Sequence, residues 1–378
     1  MPAFQVRPGY FVSLAADDLD EARFLEHDGQ GTVFLSQPKR GAILALRDTD
    51  GDGTFETRSD FVTDQSNCHG MDFEGGWLWY TSSAAGYLRK ARDTDGDGLA
   101  DEIVDVVEAG SDLIPAGGGH PFRGVLVEPA KNRVLITVSD PGNMNADLES
   151  DRKKVYAFDL DGTNRRVFAS GIRNTEKLRH RIDARGESTD EVWGADHGSD
   201  WFGRVYGDAR GNQPITDLLP PDELNHLEEG RFYGHPFIVG DRIPRPEFAD
   251  RDDLHELAAR TTPPAWNYGA HVATNGFDFL GSAVAGTFGD DHVGDLFQAQ
   301  HGSWNSSVPV GYAVTRVLFD EHTGRPFGEL AIVVTHPGEG RPLARPVDCM
   351  AMPDGSVLWS CNVTGRLFRI TAERASTK

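Results

Sequence analysis

Short apolar runs separated by polar, glycine-bearing turns dominate this chain, and the first hundred residues carry one such pattern twice. Residues 31–53 read GTVFLSQPKRGAILALRDTDGDG and residues 76–98 read GWLWYTSSAAGYLRKARDTDGDG. Each copy has an aromatic or aliphatic strand, a small-residue turn with Gly, a second strand, and then the identical RDTDGDG. The two acidic loops start at Asp48 and Asp93, 45 residues apart. A fixed period of this size marks repeated supersecondary units. The strand–turn–strand half recurs more loosely at 132–160, 190–198, 295–320 and 356–370. Six pairs over 378 residues leave 63 residues per unit, enough for a four-stranded blade with long loops.

The pattern predicts one all-β domain over residues 1–378. It is a six-bladed β-propeller of four-stranded antiparallel blades, with long loops on one face. Radial repetition protects sheet edges without closing a single barrel. A sandwich, or several small β domains, is the rival on the same spacing. Helical patterns are confined to DDLDEAR (17–23) and DDLHELAAR (252–260), both predicted as short loop helices. No Gly/Ser- or Pro-rich linker divides the chain. The stretch 199–231, with PPDELN inside it, is the least strand-like and is expected to wall a pocket.

Composition fits this picture. Glycine at 43 and proline at 21 supply many turns, and 38% hydrophobic with 25% charged residues is a folded composition. A formal charge of −22 argues against nucleic acid and anionic membrane surfaces as partners. No apolar run reaches the length of a membrane span. Of the three cysteines, Cys349 and Cys361 lie near neighbouring strand-like segments. Either they pair, or they and Cys68 are buried free thiols. The start, MPAFQVRPGYFVSL, lacks the regions of a signal peptide, which fits a cytoplasmic protein or a mature form with an added Met.

The acidic loops have metal-ligand spacing. Asp48, Asp50, Asp52 and Glu56 form D-x-D-G-D-G-x-x-E, and Asp93, Asp95, Asp97 and Asp101 repeat it. Hard oxygens at alternate positions can wrap Ca²⁺, with glycine permitting the sharp turn. The twelfth positions are Ser59 and Val104, so these are not EF-hands. Two structural calcium loops, or two solvated Asp/Gly turns, are the readings open here. Four other segments hold more convergent polar residues than turns need. GGGHPFR carries His120 and Arg123, and GIRNTEKL carries Arg173 and Asn174. ADHGSDWFG with LPPDELN carries His197, Asp200, Asp222, Glu223 and Asn225. QHGSWNSSVPVGY carries His301, Trp304 and Asn305, with Arg345 following in LARPVD. Zincin, nucleophile-elbow, Walker, Rossmann and haem-attachment motifs are all missing from the sequence.

Taken in order, PGYFVSLAADDLDEAR, RDTDGDG, GHPFR with VLITVSD, ASGIRN, ADHGSD, LPPDELN, FYGHPF, QHGSWN with PVGY, and RPVD with MPDGSVLWS resemble the soluble glucose/sorbosone dehydrogenases that use pyrroloquinoline quinone. The resemblance spans residues 8 to 372. It implies a six-bladed propeller, a quinone with Ca²⁺ on one face, a small sugar substrate and an external electron acceptor. It also implies a periplasmic or secreted location. His120 matches the family's general base. Arg173 and Asn174 match the pair at the quinone's reactive carbonyls. His197, Gly198 and Ser199 match the loop whose backbone carbonyls bind the cofactor's calcium. Arg345 matches the arginine that pairs with the cofactor's carboxylates, while Trp304, with Asn305 beside it, matches a residue near the flat ring system. Ser306, Ala313 and Ser199 depart from the family pattern. Many members have Arg and Lys at the first two positions and Arg or Pro at the third. Two other readings stand beside the dehydrogenase. One is a non-catalytic carbohydrate- or protein-binding propeller. The other is a calcium-dependent lactonase, which requires Glu223 and Asn225 to face the central channel.

Overall fold

The computed structural model describes residues 1–203, 214–281 and 287–372. Six antiparallel four-stranded blades stand in a ring, as the repeat predicts, with Gln5–Val6 added as a fifth strand at the edge of one. Blade 1 runs Leu25–His27, Thr32–Gln37, Ala42–Arg47 and Thr57–Val62 from the axis outward. Blade 2 runs Cys68–Glu74, Trp77–Ser82, Tyr87–Arg92 and Glu102–Val107. Blade 3 runs Val125–Glu128, Arg133–Val138, Lys154–Phe158 and Arg166–Ser170. Blade 4 runs Thr175–Ile182, Ser188–Asp196, Pro221–Leu227 and Trp266–Ala270. Blade 5 runs Thr274–Phe279, Leu296–Gln300, Ala313–Phe319 and Pro326–Val334. Blade 6 takes three strands from the C-terminal part, Pro346–Ala351, Val357–Cys361 and Arg366–Ala372, and its outer strand, Tyr10–Ala16, from the N-terminal part.

The repeats read from sequence are the two middle strands of each blade. Blade 4 is the exception. Its second strand ends at Asp196 and its third begins only at Pro221. PPDELN is therefore a strand and not a loop. Leu224 and Leu227 are buried, and the register Val192↔Leu227 through Asp196↔Glu223 holds it in place. The core lies between blades. Phe34, Ile43 and Phe61 of blade 1 pack on Leu78 and Tyr80 of blade 2, and Trp79 and Leu88 pack on Val134 and Ile136 of blade 3.

Around the axis the inner strands are tied by acidic clamps. The Asp72 carboxylate accepts from Val127 N at 2.6 Å, Asp278 from Ala351 N at 3.1 Å, and Asp348 from Leu25 N at 2.9 Å. Each clamp joins one blade to the next. Inside them, Lys177 pairs with Asp348 and Arg179 with Glu26, both at 2.6 Å and both buried. These pairs lie along the channel between its two mouths.

Two local expectations are corrected. DDLHELAAR forms its helix, Leu254–Arg260, but DDLDEAR does not. Asp18 and Asp20 sit at φ 52 and 53, and Leu19 N donates to Gly365 O. Gln37 Nε2 donates to Leu19 O, so tertiary bonds replace a local helix. The pairing of Cys349 with Cys361 is also overturned, since all three cysteines are free and buried. Cys349 faces Trp359 across the sheet, and Cys361 faces Pro346.

Candidate functional site

Antiparallel strands send their connections alternately to the two faces. Links between second and third strands, and between an outer strand and the next blade's inner strand, reach one face. His120, Arg173, Arg345 and Arg23 lie on outer-to-inner links, while His197 and His301 to Asn305 lie on second-to-third links. Together they surround a cavity of about 280 Å³ lined by His120, Arg173, His197, Gly198, Trp304, Asn305 and Arg345. Arg23, Phe122, Glu176, Asp222, His271, Asn275 and His301 complete its wall. Asn174 and Ser199 are buried just behind it.

His120 is half-buried at this wall, and its Nδ1 lies 2.8 Å from the backbone carbonyl of Asp140. A carbonyl only accepts, so Nδ1 carries the hydrogen and Nε2 keeps its lone pair. Burial, then the Arg173 charge, lowers the His120 pKa to about 4. The imidazole is therefore neutral at pH 7, with a vacant basic nitrogen.

Arg173 is nearly buried and spread over several acceptors. Its Nε and Nη2 donate to Asn143 O at 3.1 Å and Asn143 Oδ1 at 2.9 Å. Nη1 reaches His197 O at 3.4 Å, and Nη2 lies 3.5 Å from the Asp200 carboxylate. The turn carrying it is fixed by Asp196, which accepts from Arg173 N and Asn174 N at 2.7 Å and from Thr175 Oγ1 at 2.9 Å. Arg345 differs. Its Nε and Nη2 donate only to the carbonyls of His301 (3.0 Å) and Gly302 (2.8 Å), and its guanidinium lies 5.5 Å from the Tyr312 ring centre. Among the described residues no carboxylate pairs with it, so a cation stands at the cavity with its charge uncompensated.

His197 has no nitrogen to spare. Nε2 meets Thr274 O at 2.8 Å and Nδ1 meets Asn174 Nδ2 at 3.0 Å, so its ring is a brace and not a base. Asn174 Nδ2 also reaches Glu176 at 3.2 Å, which Arg23 binds at 3.2 Å while stacking 4.0 Å over Phe122. Gly198 N donates to Asp222 at 2.6 Å, and the other Asp222 oxygen accepts from Ala273 N at 2.6 Å. Burial still pushes Asp222 up to about 7. A Cβ on Gly198 would fall 2.5 Å from Pro221 O and 3.1 Å from Pro220 O, so only glycine fits under this cluster of carbonyls. The Gly198 and Ser199 carbonyls accept no hydrogen bond among the described residues, while the Ser199 hydroxyl is held by Arg245 at 2.6 Å.

Other predicted residues stand apart. Trp304 lines the mouth but is 69% exposed, edge-on to Trp201 at 5.5 Å. The acidic loops join third to fourth strands, so they lie on the face opposite the cavity. One ligand oxygen from each of Asp48, Asp50, Asp52 and Glu56 falls within 4.8 Å of the others, and so do those of Asp93, Asp95 and Asp101. Asp97 does not join its group; its carboxylate accepts from Leu99 N at 2.8 Å, as that of Asp52 accepts from Thr54 N at 2.7 Å. Glu223 and Asn225 are on the third strand of blade 4 and pair with each other at 3.3 Å. They do not face the central channel, which removes the geometry a lactonase required.

Sequence reading overlooked Arg23, Asn143, Glu176, Asp196 and His271. Glu176 and Asp196 sat inside quoted motifs and carried a signal. Asn143 sat in a segment with no pattern of its own, and Arg23 closes DDLDEAR, whose pattern pointed to a helix and not to a site.

The sequence model of one family, described as TrAA12-like, matches residues 4–371. A Borreliella burgdorferi protein of uncharacterised function is 22% identical, covering 96% of this chain and 94% of its own. Among solved structures, the holo pyranose dehydrogenase PQQ domain from Coprinopsis cinerea superposes with a TM-score of 0.79 at 18% identity, covering 98% of both chains. A calcium structure of a Trichoderma reesei family AA12 carbohydrate-active enzyme gives 0.77 at 17%, also covering 98% of both. The PQQ-bound aldose sugar dehydrogenase of Streptomyces coelicolor gives 0.61 at 13%, covering 98% of this chain and all of that one.

Proposed function

Because the chain belongs to the TrAA12-like family, we propose that it is a quinoprotein oxidoreductase that oxidises a sugar or polyol with pyrroloquinoline quinone and Ca²⁺ and passes the electrons to an external acceptor. The observation that carries this reading is the convergence of a neutral, Nε2-free His120 with Arg173 and Arg345 on one cavity. Relatives of the same fold are described as sugar dehydrogenases, one holo and one PQQ-bound.

The residues present fit the cofactor. Arg345, without a carboxylate partner among the described residues, suits a carboxylate of the quinone. The Asn174 Oδ1 is buried with no hydrogen-bond partner, an acceptor left over for a ligand. The Gly198 and Ser199 carbonyls, free of donors beneath Pro220 and Pro221, suit a hard cation. When bound, the quinone supplies a two-electron sink for the hydride of a carbinol carbon, with calcium as Lewis acid. His120 Nε2 takes the hydroxyl proton of the substrate, and its Nδ1–H bond to Asp140 O steadies the imidazolium that forms. Arg173 offers a charge that stabilises negative oxygen nearby, held in aim by Asn143 and Asp200. Trp304 offers a flat face at the mouth for a sugar ring or the ring system. The acidic loops on the far face would hold structural calcium.

One observation favours a second reading, a sugar-binding propeller without the quinone. Ser306 donates to Asp217 at 3.1 Å, and Ala313 is buried in a strand. Neither offers the cation that many relatives place there. The deciding experiment is titration with pyrroloquinoline quinone in calcium and in EDTA. Saturable, calcium-dependent binding that Arg173→Ala weakens, followed by sugar-dependent reduction of an artificial acceptor that His120→Ala abolishes, supports the dehydrogenase. No binding at roughly 50 µM, about −6 kcal/mol, overturns it.

A further inference from the structure

The segment FYGHPF lies between the third and fourth strands of blade 4, yet it crosses to blade 3. Phe232 forms a parallel bridge with Ser170, at the end of the outer strand of blade 3. Tyr233 N donates to Ser170 O at 2.8 Å, and His235 N to Gly171 O at 3.0 Å. Phe232, Phe237 and Ile238 pack on Leu254 and Leu257 of the only helix longer than one turn among the described residues. That packing secures the crossing and delivers His235 to the loop behind the cavity.

There His235 Nε2 lies 2.7 Å from Asp140 Oδ2, with both side chains buried. Asp140 is the residue on which two parts of the site rest. Its carbonyl is the acceptor for His120 Nδ1 at 2.8 Å, and its N–H donates to Arg173 O at 2.8 Å. Its carboxylate is fastened by Gly142 N at 2.8 Å, Asn145 N at 2.9 Å and His235. Of these three donors, only His235 comes from another blade. The two backbone donors travel with the Asp140 loop itself and cannot fix its position in the ring.

We propose that His235 is a positioning residue: through Asp140 it fixes the carbonyl that selects the Nδ1–H tautomer of His120 and keeps Nε2 basic. The proposal rests on reading His120 as the base. A carboxylate accepts only from a nitrogen that bears hydrogen, so His235 Nε2–H donates to Asp140 Oδ2. Fixing a ring's tautomer from behind, through the atom its other nitrogen touches, is a common device for an imidazole that must act at one nitrogen.

The test uses His235→Gln, whose amide can reach the Nε2 position, and His235→Asn, whose amide stops at the Nδ1 position. In ¹⁵N-histidine-labelled protein without cofactor, with His120 assigned through His120→Gln, the wild type and His235→Gln should show His120 as Nδ1–H, Nε2 unprotonated. His235→Asn should show a mixed tautomer. In the loaded enzyme, His235→Asn should lower kcat roughly tenfold with KM and quinone affinity little changed, and His235→Gln should restore most of it. An unchanged His120 spectrum in His235→Asn, with only a lower melting temperature, overturns the proposal. If His235→Asn does not fold, Asp140→Asn takes its place. It keeps the backbone carbonyl and weakens the side-chain anchor, so an unchanged His120 tautomer there counts against the proposal equally. The spectra are read without quinone, so a protein that fails to bind quinone refutes the oxidoreductase and leaves this result standing.

Discussion

Gly302 is the position where a single methyl group should do the most measurable harm to the cavity. It sits at φ +92, and a Cβ there would fall 2.4 Å from the Tyr312 ring. The ring has no room to retreat. Its hydroxyl donates to Ser303 O, Arg345 lies over it, and His336 stands 5.1 Å away. Gly9 is the matched control, with φ +90 and nothing within 4 Å of a built Cβ. Alanine at either glycine pays roughly 1–2 kcal/mol for the left-handed backbone. At Gly302 the overlap adds roughly 1–3 kcal/mol of overpacking. The unfolding entropy of a chain this long is about 0.8 kcal/mol/K. Gly302→Ala should therefore lower Tm by roughly 3–6 °C and Gly9→Ala by roughly 1–3 °C, by calorimetry. Arg345 donates to the Gly302 carbonyl at 2.8 Å, so Gly302→Ala should also weaken quinone binding while Gly9→Ala does not. Equal losses in the two variants would refute the steric argument.

Other outcomes follow from charge and burial. His235 is held at about 4 chiefly by burial, so between pH 6.5 and 4 the unfolded chain takes a proton that the folded one refuses, and stability falls with pH. At pH 5 that costs about 2 kcal/mol, so urea unfolding of His235→Gln should lose about 2 kcal/mol less than wild type from pH 7 to pH 5; parallel slopes would contradict the burial argument. With His120 at about 4, sugar oxidation should keep nearly full kcat/KM at pH 5.5, where an ordinary imidazole would be only about 9% neutral; an acid limb centred near 6.5 would refute the lowering of the His120 pKa by burial and Arg173. Calcium should stabilise the fold through the acidic loops, by about 2.7 kcal/mol per occupied loop at a hundredfold excess over Kd, and so raise Tm. Asp93→Asn should reduce that gain without altering quinone affinity, because the loops face away from the cavity; a change in affinity would show coupling between the faces.

The propeller was legible because its middle strands are uniform. TVFLSQ, AILALR and WLWYTS bury on both sides, YLRKAR buries Tyr87, Leu88 and Ala91, and the two pairs repeat at one period. Blade 4 was not, because 24 residues separate Asp196 from Pro221 and no repeat bridges them. The strand Pro221–Leu227 opens on a proline, a loop signal that burial of Leu224 and Leu227 overrides. Within the site, His120, Arg173, His197 and Arg345 were found through short motifs, while Glu176 and Asp196 were passed over inside two of the same motifs. Asp140 acts through its backbone, to which sequence is blind. Arg23 comes from a segment whose composition suggests helix but whose partners, Ser36 and Gly365, lie elsewhere in the ring. The disulfide expectation failed on register, since strand proximity alone does not say which residues face each other.

Blade 6 is stitched from both parts of the chain, Tyr10 pairing with Ala372. This seam makes folding a problem of search as much as of energy. The ring cannot close until nearly the whole polypeptide has been synthesised, and the joining contact spans over 350 residues of sequence. Such non-local closure is slow to form. If the transition state lacks it, the same seam sets the unfolding rate. Proteolysis or mechanical pulling at Tyr10–Ala16 should then release the blades in succession, and a covalent staple across that seam should lengthen the protein's lifetime more than its equilibrium stability suggests.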